Sequence, residues 1–227
     1  MIIEEIARIK TDFPTKFGIP RQSGLVKDLK GTIVFEKKYQ DPNAIRGLEG
    51  FSHIWVIWGF SENYGKEYSP TVRPPRLGGN ERMGVFATRS PFRPNNLGLS
   101  CLKLDKIEQT KESGYVLHVS GADMMDNTPI YDIKPYLAFS DSIAEATGGF
   151  CAEIGEYKLT VKVDKDLLNG FPKEKSDTLC RILAEDPRPA YIDDENRIFG
   201  FLFYDHEIKF KVKEKELTVI SVEKRTR

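Results

Sequence analysis

The apolar residues of this chain fall mostly in short blocks, many with alternation or β-branched content, separated by stretches rich in Gly, Pro and Asn. Residues 31–36, Gly-Thr-Ile-Val-Phe-Glu, read as a strand. Residues 51–60 are nearly all apolar or aromatic, the pattern of a strand buried on both faces. Residues 83–88 read as a further strand, and residues 99–107 and 115–120 as a hairpin around a polar turn at 108–114. Residues 2–9 are ambiguous, because Ile2, Ile6 and Ile9 also fit one face of a helix. Strands follow one another with little helix between them, which favours a barrel or sandwich over a doubly wound sheet.

The pattern changes near residue 140. Residues 140–149 are small and polar, with Gly148-Gly149, and read as a linker. Residues 156–168 read as a strand and turn. Residues 173–185 read as a helix: Pro172 precedes it, Leu179, Ile182 and Leu183 share a face, and Asp186-Pro187 ends it. Strands follow at 198–204, 208–212 and 217–222. In the second of these, Ile208, Phe210 and Val212 alternate with Lys209, Lys211 and Lys213, giving one buried and one basic face. The fold class is therefore mainly β: a barrel or sandwich domain over 1–140, a linker over 141–155, and a small α+β domain over 156–227.

Composition narrows the function. The 227 residues carry 34 basic and 34 acidic side chains, so a basic surface for nucleic acid must be local. Residues 71–93 hold five arginines (Arg73, Arg76, Arg82, Arg89 and Arg93) against the single acid Glu81. Residues 206–227 hold seven Lys or Arg against four acids. The run around 54–60 is far too short to span a bilayer, and the first residues read without a signal peptide. Cys101, Cys151 and Cys180 are scattered, which argues against a zinc site or a disulfide scaffold and for a reducing, cytoplasmic setting.

Four clusters carry candidate chemistry. Residues 18–22 are Gly-Ile-Pro-Arg-Gln, and residues 72–79 a proline-stiffened loop with two arginines. Residues 84–100 join forked guanidinium donors to a Pro- and Asn-rich turn, suited to a carboxylate or phosphate. Residues 123–136 hold three carboxylates, which can bind a metal or cap turns and pair with the arginines; the second reading is preferred, with no metal expected. No Gly-rich dinucleotide motif, P-loop, HExxH or GxSxG occurs.

Taken in order and spacing, PRQ at 20–22, GLEGFSHIWV at 47–56, RPPRLGG at 73–79, GVFATRSPFRPNNLGLS at 84–100 and DNTPIYDIKPY at 126–136 resemble the TsaA-like family, also called TrmO, of tRNA adenosine N6-methyltransferases. Residues 186–191, DPRPAY, extend the resemblance into the second domain. It implies a single-sheeted β-barrel, a homodimer, and methylation by S-adenosylmethionine of N6 of threonylcarbamoyladenosine at position 37, beside the tRNA anticodon. It also implies cofactor contacts at Pro20, Arg21, Gln22, Ser61, Glu62, Arg89, Leu99, Met125, Asp126, Asn127 and Thr128. Arg21 or Arg89 can fork onto the methionyl carboxylate. Asp126 or Asp132 can orient the N6–H and accept its proton. Asn127 stands where the family has Gly, and Asn tolerates left-handed backbone. Arg73, Arg76, Arg93, Arg188, Tyr191, Lys209 and Lys211 are the candidate contacts to the anticodon loop. The alternatives are a silent cofactor- or RNA-binding module and a methyltransferase acting on another substrate.

Overall fold

The computed structural model describes residues 2–74, 77, 81–154, 157–188 and 194–225. Six antiparallel strands close into a barrel: β1 (Ala7–Thr11), β2 (Lys30–Phe35), β3 (His53–Gly59), β6 (Leu97–Thr110), β7 (Gly114–Ser120) and β8 (Thr128–Pro135), in the order β1-β2-β7-β6-β3-β8. The two-residue strands β4 (Thr71–Val72) and β5 (Met83–Gly84) pair outside it. The barrel interior is filled by Ile9, Ile33, Ile54, Val56, Leu102, Leu117, Val119 and Ile130, all fully buried.

Three readings change. The run 51–60 yields β3, but only alternate residues are buried. Ile54, Val56 and Trp58 face the core, while His53, Trp55 and Ile57 are half-buried on the other side. An antiparallel barrel strand has only one core face. Trp55 rests instead against Tyr136 and donates its indole N–H to Asp141 at 2.8 Å. The strand read at 83–88 shrinks to β5. Residues 85–87 turn into a 3-10 helix, with the Thr88 hydroxyl donating to Val85 O at 2.9 Å. The carboxylate-rich stretch 123–136 contributes the closing strand β8, despite Pro129 and Pro135.

The segment read as a linker carries the end of α1 (Ala138–Asp141) and α2 (Phe150–Ile154). Beyond it, β9 (Thr160–Lys162), α3 (Lys173–Ala184), β10 (Phe199–Phe203), β11 (His206–Lys213) and β12 (Glu216–Lys224) form a second unit, with sheet order β10-β11-β12-β9. The alternation on β11 is as expected: Ile208, Phe210 and Val212 are buried. Lys209, however, lies 3.5 Å from Glu207 and 3.7 Å from Glu223, so acids interleave with the lysines on that face. No helix of the described residues is long and apolar enough to cross a membrane.

One feature of the packing bears directly on function. The long connection from β1 to β2, residues 12–29, leaves the barrel and docks on the second sheet. Phe13, Val26 and Leu29 are buried in the second core, with Phe17 and Ile19 packed against it. The Phe13 ring lies 5.3 Å from Phe203. Gly18 takes φ +94°, and a Cβ there would meet the Phe201 ring at 2.3 Å, so the backbone crosses that ring where no side chain fits. Burial of each large apolar side chain is worth about 1.5–3 kcal/mol, so the loop is firmly seated.

Candidate functional site

Strand register places part of each chemical cluster at one mouth of the barrel. Thr11 pairs with Gly31, Lys30 with Ser120, Gly59 with Leu97, Trp58 with Ile130, and Ile9 with Thr128. The connections at this end are 12–29, 60–96 and 121–127, and they contain residues 20–22, Ser61, Glu62, Arg73, Arg89, Arg93 and 123–127. Pairing between β6 and β7 begins only at Lys103 with Ser120, so residues 97–102 run past the end of β7. Residues 23–24 cover that overhang. Cys101 N–H donates to Ser23 Oγ at 3.3 Å, and Gly24 N–H to Gly121 O at 3.0 Å.

Under this loop lies a buried polar chain that sequence reasoning missed. Trp58 Nε1–H donates to Ser100 Oγ at 2.9 Å, and the Ser100 hydroxyl donates to Asp123 Oδ1 at 2.6 Å. Burial pushes the Asp123 carboxyl up to about 6, opposed by the Ser100 hydroxyl, backbone amides including that of Ser23, and the Arg89 charge. Gly98 makes room for the chain, since a Cβ there would lie 2.3 Å from the Trp58 ring. The available signal was Asp123 itself, a carboxylate between the buried apolar residues Ala122 and Met124.

Arg89 donates to Gln22 Oε1, tying the third cluster to the first. Among the described residues its Nε and Nη2 meet no hydrogen-bond acceptor. Pro20 is buried, and Leu99, 53 % exposed, is an apolar surface beside them. Ser61 and Glu62 start a 3-10 turn after β3, held by Phe60 N–H donating to Asn96 O at 2.8 Å.

Residues 125–128 form a tight turn. The Thr128 hydroxyl donates to Met125 O at 2.7 Å, and Asn127 takes φ +66°, the left-handed conformation anticipated for it. Asp126 Oδ1 accepts the Thr11 backbone N–H at 3.0 Å, leaving the other oxygen without a hydrogen bond among the described residues. Asp132 lies about 13 Å farther along β8 and pairs with Lys134 at 2.8 Å, so it is not brought to this cluster.

The arginines divide by role. Arg93 Nη1 donates to Thr88 O at 3.0 Å and Ser90 O at 3.3 Å, and Asn96 Nδ2 donates to Pro91 O at 2.7 Å, so both build the turn. Arg73 is exposed and makes no ion pair among the described residues. Arg76 and Tyr191 lie outside the described residues. Arg21 donates to the Arg188 carbonyl at 2.9 Å, across to the second unit. Among the described residues no group of three or more His, Cys, Asp or Glu is arranged to hold a metal ion.

The donor set fits an amino-acid-bearing nucleoside: guanidinium donors for a carboxylate, an exposed aliphatic surface for a base, and an acceptor oxygen for a hydroxyl or ammonium. Comparison with known proteins agrees. The tRNA-methyltransferase O N-terminal domain matches residues 8–142, and the TrmO C-terminal domain residues 158–225. The tRNA (adenine(37)-N6)-methyltransferase of Escherichia coli K12 is 38 % identical over 230 residues, covering 98 % of this chain and 97 % of its own. That of Eikenella corrodens is 46 % identical over 171 residues, covering 75 % of this chain and 95 % of its own. A crystal structure of TrmO from Pseudomonas aeruginosa is similar at a TM-score of 0.76 and 26 % identity, over 98 % of each chain.

Proposed function

Because the chain belongs to the tRNA-methyltransferase O family, we propose that it transfers the methyl group of S-adenosylmethionine to N6 of the adenine at position 37 of tRNA. The observation that carries this is the convergence of residues 20–24, Arg89, 97–101 and 121–128 at one barrel mouth.

S-adenosylmethionine, when bound, supplies an electrophilic methyl on a sulfonium. Arg89, oriented by Gln22, holds the methionyl carboxylate. Leu99 and Met125 cover the adenine. The rate comes mainly from alignment, because an in-line displacement with a neutral leaving group demands little else. N6 is a weak nucleophile whose proton must leave, and Asp126, at the mouth with one unbonded oxygen, is the acceptor in this proposal rather than Asp132.

The substrate form is threonylcarbamoyladenosine. Its threonyl carboxylate needs a cation, and exposed Arg73 at the same mouth, which makes no ion pair among the described residues, provides one. The enzyme acts as a homodimer in the cytoplasm. Phe86, 75 % exposed in the 60–96 connection, leaves apolar surface near the site for a second copy to cover.

The test is nucleoside mass spectrometry of tRNA incubated with the protein and S-adenosylmethionine. Methylated threonylcarbamoyladenosine is expected, with none on tRNA lacking that group. Product on unmodified adenosine overturns the substrate assignment. Tight cofactor binding without any product overturns the activity.

A further inference from the structure

The turn that follows α3 is closed on itself. Asp186 N–H donates to Leu183 O at 3.2 Å, ending the helix, and Asp186 takes φ +51°. The Arg188 guanidinium then lies across the Asp186 carboxylate, Nε to Oδ1 and Nη2 to Oδ2, both at 2.9 Å. The Arg188 amide donates to the same Oδ1 at 3.3 Å. The Arg188 and Asp186 side chains are only 13 % and 14 % exposed. A bidentate pair held this way locks the backbone of the turn and leaves little guanidinium surface for phosphate. What the turn presents outward is the Arg188 carbonyl, and Arg21 Nη2–H donates to it at 2.9 Å.

The seat around this contact is built from both units. A crevice of about 30 Å³ separates Pro20 and Arg21 from Glu185, Asp186 and Pro187. The rest of the 12–29 connection is anchored nearby by ion pairs from Asp12 to Lys175 and from Asp28 to Arg181, both partners lying on α3. The segment is thus tied to β6 through Ser23, to Arg89 through Gln22, and to the turn after α3 through Arg21.

We propose that the Asp186–Arg188 turn is a positioning element for the methyl-donor site: by holding the Arg188 carbonyl against Arg21 it sets the geometry of residues 20–22, and so governs cofactor affinity rather than contact with RNA. This rests on the reading that residues 20–22 touch the cofactor. It assigns Arg188 away from the anticodon-loop contacts expected of it, and it gives the second unit a part in the donor site.

The experiment uses the full chain and four variants: Asp186→Asn, Arg188→Lys, Arg21→Ala and Arg89→Ala. S-adenosylhomocysteine binding is measured by calorimetry and tRNA binding by fluorescence anisotropy across salt concentrations. Asn tolerates the left-handed backbone at 186, so Asp186→Asn removes the fork while keeping the turn, and carries the test should Arg188→Lys fail to fold. Loss of the fork weakens S-adenosylhomocysteine binding about tenfold, leaves tRNA affinity and its salt slope unchanged, and adds nothing on top of Arg21→Ala. A fall in tRNA affinity with a shallower salt slope and intact cofactor binding makes Arg188 an RNA contact and overturns the proposal. Weakening by Arg21→Ala and Arg89→Ala but not by the two turn variants sinks this proposal alone. Unchanged cofactor binding in Arg21→Ala and Arg89→Ala sinks the underlying reading of the site.

Discussion

Arg89→Ala weakens binding of S-adenosylmethionine by roughly 10- to 100-fold while the melting temperature moves by no more than about 2 °C. The size follows from removing a charged hydrogen-bonding partner of a carboxylate, worth about 1.5–3 kcal/mol. Stability is spared because Arg89 is exposed and its hydrogen bond among the described residues, to Gln22, joins two surface loops. Arg89→Lys recovers little of the loss, because a point charge cannot reproduce the guanidinium fork. Calorimetric titration alongside thermal melts checks this. Unchanged affinity removes Arg89 from the site, and a large drop in melting temperature makes it a structural residue instead.

Asp123→Asn changes how stability depends on pH. Burial raises the carboxyl from its ordinary value near 3.8 to about 6. A group raised in the folded state binds its proton there while the unfolded chain has released it, so its contribution is fully present below about pH 4 and is lost as pH rises through 6. Above pH 6 the ionised, part-buried carboxylate costs the fold on the order of 2 kcal/mol. The melting temperature of Asp123→Asn relative to the unsubstituted protein therefore rises between about pH 4 and pH 7, most steeply near 5, and levels off above that range. A difference flat across that range shows that the carboxyl titrates as if it were in water. Retention of such a group beside Gln22, Ser23 and Arg89 is consistent with a site that gives up stability for function.

Much of this architecture is legible in the sequence. β2, the β6–β7 hairpin, α3 and the alternating β11 are local patterns, set by side-chain period and turn residues. β8 was harder to read, because Asp126, Pro129, Asp132 and Pro135 interrupt the alternation that marks a strand, and only closure of the barrel makes the segment extended. The family resemblance implies one site for Arg21, Gln22, Arg89 and Leu99, and the register brings Gln22, Arg89 and Leu99 to one mouth. Asp123 and Ser100 fall within clusters visible in the sequence, but their link to each other and to Trp58 is not, because it comes from burial under residues 23–24 and contacts between residues far apart in the chain. The docking of Phe13 and Val26 on the second core is likewise invisible locally: an apolar residue in a loop does not say which core it joins. Arg188 changes from an apparent surface cation into part of a locked turn because its guanidinium forks onto Asp186, a pairing that the residue types alone do not reveal.

We place the methyl donor at the mouth bounded by the connections 12–29, 60–96 and 121–127. Amide hydrogen exchange with and without saturating S-adenosylhomocysteine tests it most directly, since ligand binding slows exchange where the ligand holds the chain. Protection is expected at residues 20–24, 97–101 and 121–128, with no change in residues 42–49, part of the lining of a groove at the opposite mouth. Protection confined to 42–49, or absent from 20–24 and 121–128 while binding is evident by calorimetry, would contradict it.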